Sequence, residues 1–184
     1  MSELELLRYV KLLYDRGHIT LLSGNVSVKE GGYVIVTPTS RPKPFLTEDD
    51  LVWIDLDGVV VKGRHKPTSE WRMHVEIYKQ RRDVNAVVHT HDVLPTVLAR
   101  HLDATSLSEA EAYIGSGIAV VPYIKPGTRE LAEATASVLK NNNVAILERH
   151  GVVAVGRDLA EAVNRVEVLL DLAKATLYKM LLRL

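Results

Sequence analysis

Residues 67–92, PTSEWRMHVEIYKQRRDVNAVVHTHD, constrain this chain more than any other stretch. They lead from a helix start that carries Glu70 to the apolar run Ala86-Val87-Val88, which predicts a buried strand ending in His89-Thr90-His91. Successive side chains on a strand point to opposite faces, so His89 and His91 share a face and can grip one ion. The competing reading gives one imidazole a satisfied hydrogen bond and makes the other incidental. Two histidines on one buried face would each need a partner, which favours the metal.

A further imidazole and an oxygen ligand would complete the site, and the rest of the chain offers both. His150 sits beside Gly151 at a strand edge, and with Glu70 it would make an N₃O set suited to zinc at about 2.0–2.2 Å per bond. The chain has no cysteine, so thiolate ligands, thiolate nucleophiles and disulfides are excluded. Other metal folds that use a His-x-His doublet fit poorly. A hydrolase of the His-x-His-x-Asp-His type needs Asp where Val93 stands. A barrel amidohydrolase needs typically about 250 residues, and the helical stretches contradict a jelly roll. His74, one turn after Glu70, could add a ligand but reads as a packed helix histidine. His18, His65 and His101 read as surface residues.

Around this stretch the periodicities alternate. Leu4, Leu7, Val10 and Tyr14 predict an opening helix stopped at Gly17. Val26 and Val28, then residues 33–36, predict two strands about Gly31-Gly32, and residues 52–55 and 59–62 a hairpin about Asp57-Gly58. Residues 47–50 predict one capped helical turn. Thr68 or Ser69 would cap a helix that turns Trp71, Val75 and Tyr78 inward. Further helices are predicted over 93–100 and 130–140, the latter capped after Pro126-Gly127-Thr128, and strands over 118–123, 144–147 and 152–155. Residues 101–117 carry no clear pattern. One long helix over 159–184 places Leu159, Val163, Val166, Leu170, Ala173, Leu177 and Leu181 on a stripe. With strands joined by tight turns and helices opening, interrupting and closing the chain, the class is α/β, helices on the faces of a mainly antiparallel sheet. No repeat, linker or second domain is visible, so 1–184 reads as a single domain.

Charge limits the partners. With 23 basic and 23 acidic residues the net charge is zero, so no whole-chain field favours nucleic acid or an anionic membrane. No apolar run approaches the roughly 20 residues needed to span a bilayer, and the charged amphipathic N-terminus is unlike a secretory signal. A cytoplasmic protein is expected. Three turns, Gly24-Asn25, Thr39-Ser40 and Thr68-Ser69, offer short donors and backbone N–H groups, the equipment of a nest for a small anion such as phosphate.

The segments SGNVS at 23–27, TPTS at 37–40, PTSE at 67–70, AVVHTH at 86–91, PGTREL at 126–131 and RHG at 149–151 follow one another across nearly the whole chain. Together they resemble the class II aldolase/adducin family. That resemblance implies a three-layer αβα sandwich, a fourfold homotetramer with active sites between subunits, and zinc on His89, His91 and His150. It implies Glu70 as fourth ligand at rest and as base in catalysis, with the substrate phosphate on Gly24, Asn25, Thr39, Ser40, Thr68 and Ser69. The implied reaction is reversible cleavage of a ketose 1-phosphate, a sugar phosphate, to dihydroxyacetone phosphate and an aldehyde. Relatives that dehydrate a methylthioribulose 1-phosphate or epimerise a pentulose phosphate at C4 are the alternatives, with the non-enzymatic adducin head. Such epimerases carry Asp where Glu70 stands, and the intact ligand set argues against the adducin-like module. Two departures stand out: Ser40 replaces a usual Gly, and the sequence stops at Leu184, without the tail tyrosine that family aldolases use for proton transfer. Tyr113 and Tyr123 are candidate substitutes, though tyrosines near an apolar strand are more often core.

Overall fold

The computed structural model describes residues 3–182. Helix α1 (Glu3–Asp15) ends before Gly17, which takes φ +80. Its buried line is Leu6, Val10 and Leu13, so the apolar stripe is rotated from the expected one and Leu4 faces out. Strands β1 (Asn25–Glu30) and β2 (Tyr33–Val36) pair antiparallel about Gly31 and Gly32, both at positive φ, as a two-residue primed turn requires. Strands β3 (Val52–Ile54) and β4 (Val60–Lys62) form the second hairpin. Its loop is longer than a bare Asp57-Gly58 turn: the Asp55 carboxylate accepts from the N–H groups of Asp57 and Val59, and Gly58 supplies φ +84.

Helix α2 (Trp71–Gln80) starts later than a Thr68 or Ser69 cap would place it, with Glu70 at the N-cap and no side-chain capping bond. The reason is long-range. Pro38 and Pro67 form an antiparallel bridge and Thr68 N–H donates to Thr37 C=O, which ties residue 68 to the neighbouring segment, while its hydroxyl and C=O accept from Glu70 and Trp71 N–H and close a turn ahead of the helix. Trp71 is only partly buried, and the inward face carries Met73, His74, Val75, Ile77 and Tyr78. Strand β5 (Ala86–Thr90) is buried throughout. Helix α3 (Val93–Val97) is shorter than expected and gives way to a 3₁₀ turn at Ala99–His101. The patternless stretch folds as a 3₁₀ turn and helix α4 (Ser108–Tyr113). Strand β6 (Ala119–Val121) is half the predicted length. Helix α5 (Arg129–Leu139) is capped by Thr128, whose hydroxyl accepts from Leu131 N–H. Strands β7 (Val144–Leu147) and β8 (Gly151–Gly156) precede α6 (Leu159–Leu182), which buries Leu169 and Leu172 where the stripe predicted Leu170 and Leu177. The last residues of the predicted helix, 183–184, lie outside the described residues.

The strands make one sheet in the order β4-β3-β2-β1-β5-β8-β7-β6. Every pairing is antiparallel except β6 with β7, so the sheet is mixed. Among neighbouring strands that follow one another directly in the chain, β6 and β7 are the pair joined through an α-helix, α5, and parallel neighbours need such a crossover. Two apolar clusters form, one per face. Val26, Val28, Ala86, Val88, Ile146 and Ala154 pack with α1 and α6. Val34, Val36, Val87, Ala145, Val153 and Val155 pack with α2 and α5. Strand alternation puts His89 on the face of Val87, toward α2 and α5. Among the described residues no helix is long and apolar enough to cross a membrane.

Two of the histidines read as surface residues are not. His18 is buried, its Nδ1 3.0 Å from Asp92 Oδ1, and His65 is half-buried with Nε2 2.9 Å from Asp50 Oδ1. Both partners are far along the chain, so neither pairing has a local signature. His101 is exposed, as expected.

Candidate active site

The end of β5 brings His89 and His91 together, and the turn between β7 and β8 adds His150. That turn is tight: His150 N–H donates to Leu147 C=O, and Arg149 takes φ +61, unusual outside glycine. The Nε2 of His89 lies 3.2 Å from that of His91 and 3.3 Å from that of His150. His89 donates its Nδ1 proton to Val152 C=O at 2.9 Å, which fixes the tautomer and leaves the Nε2 lone pair facing the other two rings. Burial holds all three imidazoles neutral: His89 well below its ordinary value, with further lowering from His150 and His91, His150 at about 4, and His91 lowered as well. Where His91 and His150 also present unprotonated Nε2 atoms, three lone pairs converge and call for a cation between them. A tetrahedral ion bonded at about 2.0–2.1 Å spaces its nitrogens about 3.3–3.4 Å apart, so these residues fit a divalent metal.

Glu70 is not in that cluster. At the N-cap of α2 its carboxylate is buried, which raises its pKa, and it accepts a hydrogen bond from Gly127 N–H, which lowers it. It faces a cavity of about 370 Å³ that His91 and His150 also line. All six residues of the three turns line the same cavity: Gly24, Asn25, Thr39, Ser40, Thr68 and Ser69. The first turn needs glycine, since Gly24 has φ +78 and a Cβ there would overlap Ile19. The other two turns are stitched together by the Pro38–Pro67 bridge and by Thr39 N–H donating to Lys66 C=O. Ser40 holds φ +53, a conformation glycine adopts more readily.

Three groups stand behind these walls; the sequence reads His74 as a packed helix histidine, as it is, but signals neither its partners nor the other two groups. His74 is fully buried, its Nε2 2.6 Å from Asn25 Oδ1 and its Nδ1 2.6 Å from Ser27 Oγ, which in turn meets Tyr78 OH at 2.8 Å. Only its place on the inward face of α2 hinted at this. The His18–Asp92 pair braces the metal strand: Thr90 Oγ1 donates to Asp92, and His91 N–H donates to His18 C=O. Lys43, between Pro42 and Pro44, is buried at the cavity wall. Tyr113 and Tyr123 are half exposed rather than core, and neither lines the cavity; Tyr123 lies under the Arg149 guanidinium, 4.4 Å from its ring centre.

Gly151 lets β8 run close to β5 beside the imidazoles, for an added Cβ would overlap the Thr90 carbonyl oxygen and stand 3.3 Å from His89 Cε1. Gly151→Ala should therefore destabilise the protein by about 1–3 kcal/mol and weaken metal retention. Denaturant midpoints and metal content after dialysis will check this; an unchanged midpoint would show that the strands have room to part.

Fold and site together define an α/β protein with three converging imidazoles that could hold a metal, two of them lining a cavity walled by donor-bearing turns. Residues 4–177 match the family described as "Class II Aldolase and Adducin N-terminal domain", and the chain belongs to that family. Among its relatives, the L-fuculose phosphate aldolase of Methanocaldococcus jannaschii is 42% identical over 184 residues, spanning 100% of this chain and 99% of that one. The L-fuculose phosphate aldolase of Escherichia coli K12 is 41% identical over 161 residues, 84% of this chain and 74% of the other. A solved L-fuculose 1-phosphate aldolase superposes with a TM-score of 0.91 at 32% identity, covering 97% of this chain and 85% of its own. The enzyme of that name from Thermus thermophilus gives 0.85 at 25% identity, covering 98% and 95%. The family is metal-dependent, and the three imidazoles are where this chain could hold a metal.

Proposed function

We propose that this chain is a class II aldolase, an aldehyde-lyase that reversibly cleaves a ketose 1-phosphate of the L-fuculose 1-phosphate type to dihydroxyacetone phosphate and an aldehyde. The observation that carries the reading is that a buried carboxylate, two of the three converging imidazoles and three donor turns all face one cavity. Zinc is the ion that three imidazoles without sulfur suit best. When bound it would act as a Lewis acid on the substrate carbonyl, stabilising negative charge on that oxygen.

The chain's own residues would do the rest. Asn25, Thr39, Ser40, Thr68 and Ser69, with the backbone at Gly24, would hold the phosphate and so fix the neighbouring carbons against the base. Glu70 would move the proton at the carbon next to the carbonyl. Its burial raises its basicity toward the working pH, as a general base requires. Its place outside the imidazole cluster supports the base role more directly than its role as a fourth ligand in the resting site. Two further assignments belong to the same reading. The two faced cores support a single domain built as a three-layer αβα sandwich, and exposed Val93, Val97, Tyr178 and Leu181 support burial against other copies in a homotetramer.

A retro-aldol assay across a panel of ketose phosphates, with metal measured on the same sample, tests the proposal. The expected result is triose phosphate release from an L-fuculose 1-phosphate-like substrate, abolished by a chelator and restored by zinc. A diketone from a methylthio sugar, with no triose phosphate, would replace the reading with a dehydratase.

A further inference from the structure

The turns that line the pocket offer only neutral donors, yet the pocket wall holds a buried cation with no carboxylate bonded to it among the described residues. Lys43 is 3% exposed. Its Nζ donates to Pro38 C=O and Arg41 C=O, both at 3.3 Å, which leaves the third ammonium proton without a protein acceptor among the described residues. Burial alone pushes its pKa down, to about 8. It still carries charge at neutral pH. A buried ammonium satisfied only by carbonyl dipoles is costly, and evolution of a stable core would replace it with an apolar residue unless the charge is used.

The loop leaves little freedom for the stem. Prolines at 42 and 44 flank Lys43, and its own N–H donates to Leu21 C=O at 2.9 Å. The carbonyls that hold Nζ belong to the segment that carries Thr39 and Ser40, two walls of the cavity. Lys43 is thus fixed against the turns that would receive an anion.

We propose that Lys43 is a binding residue that supplies the positive charge for a phosphomonoester dianion in this pocket, and so sets preference for phosphorylated over unphosphorylated substrate. The inference rests on the aldolase reading for the identity of the substrate, but not for the anion. An ammonium already stripped of water gains a charge-assisted hydrogen bond to phosphate without further desolvation. The bland alternative is that Lys43 only clamps the loop at 38–41 through its two carbonyls.

The test compares the metal-loaded wild type with Lys43→Met, Lys43→Gln and Lys43→Arg, using inorganic phosphate as the calorimetric probe. Gln keeps a neutral donor near the carbonyls and drops the charge; Arg keeps the charge. Loss of charge should weaken phosphate binding about tenfold or more, and Arg should recover most of it. KM for a ketose 1-phosphate should rise by a similar factor, with KM for the unphosphorylated ketose and the melting temperature of the Gln variant little changed. Wild-type phosphate affinity in the Gln or Met variant would overturn the proposal. So would an equal loss on both substrates with a fallen melting temperature, the pattern of a collapsed loop. If the wild type binds phosphate through Lys43 yet cleaves no ketose 1-phosphate, the aldolase reading falls and the anion site stands.

Discussion

Glu70→Gln should keep the metal and the anion pocket while losing proton exchange on dihydroxyacetone phosphate, with kcat for cleavage falling about 10²–10⁴-fold. The amide has the shape of the carboxylate, so the N-cap position of α2 is preserved. Its oxygen can still accept from Gly127 N–H, the bond that holds the wild-type side chain. What the amide lacks is a lone pair basic enough to take a proton from carbon. The imidazole cluster does not include Glu70, so metal content should fall far less than activity. The pH dependence has a definite sign. Burial raises the Glu70 pKa, and a base works only when deprotonated, so wild-type activity should drop on the acid side at a higher pH than an ordinary carboxylate would give. That limb should vanish with the residual activity of the variant. Exchange of the C–H next to the carbonyl, followed by NMR in deuterated water, isolates this step from aldehyde release. Unchanged exchange with normal metal content would remove Glu70 as the base.

Where the sequence was legible, the cause was local. Gly31-Gly32 specified its hairpin because only such residues enter a primed turn readily, and His89-Thr90-His91 specified a shared face because strands alternate. The pocket residues were found as turns with donors, and they do line one cavity. What could not be read depends on partners far along the chain. Thr68 looked like the helix cap, and its hydroxyl does accept from Glu70 N–H, but a turn intervenes and α2 begins only at Trp71. His18 looked like a loop residue, and Asp92 makes it a buried brace. Lys43 carried no signal in the sequence, and its burial at the cavity wall comes from the fold. The short helix α4 had no clear apolar period to announce it, and its one buried residue, Ala110, explains why.

His74→Leu should unfold more easily, bind phosphate more weakly, and lose part of the acid sensitivity of the wild type. The hydrogen-bond chain admits one proton arrangement. Asn25 Oδ1 can only accept, so His74 Nε2 carries the proton. Burial lowers the His74 pKa to about 3, so the ring is neutral and Nδ1 accepts from the Ser27 hydroxyl. Ser27 then accepts from Tyr78 OH. With its oxygen held from behind, Asn25 must turn its NH₂ group away from His74, and the residue lines the cavity proposed to hold the anion. Leucine would leave the Asn25 oxygen and the Ser27 hydroxyl without their partner, at a cost of about 2–4 kcal/mol, partly offset by its apolar contacts. It would also free the amide to flip its oxygen toward the anion. Gln at this position can donate to Asn25 and accept from Ser27, so His74→Gln should recover phosphate binding better than Leu does. The pH signature separates this network from simple packing. Between about pH 6.5 and 3 the unfolded chain binds a proton on His74 that the native state refuses, so wild-type stability falls as pH falls through that window. Leucine removes this contribution, and the slope of unfolding free energy against pH should be shallower in the variant. Parallel slopes from denaturant unfolding across that range would show that His74 is not held neutral, and the proton arrangement that aims Asn25 would fall with it.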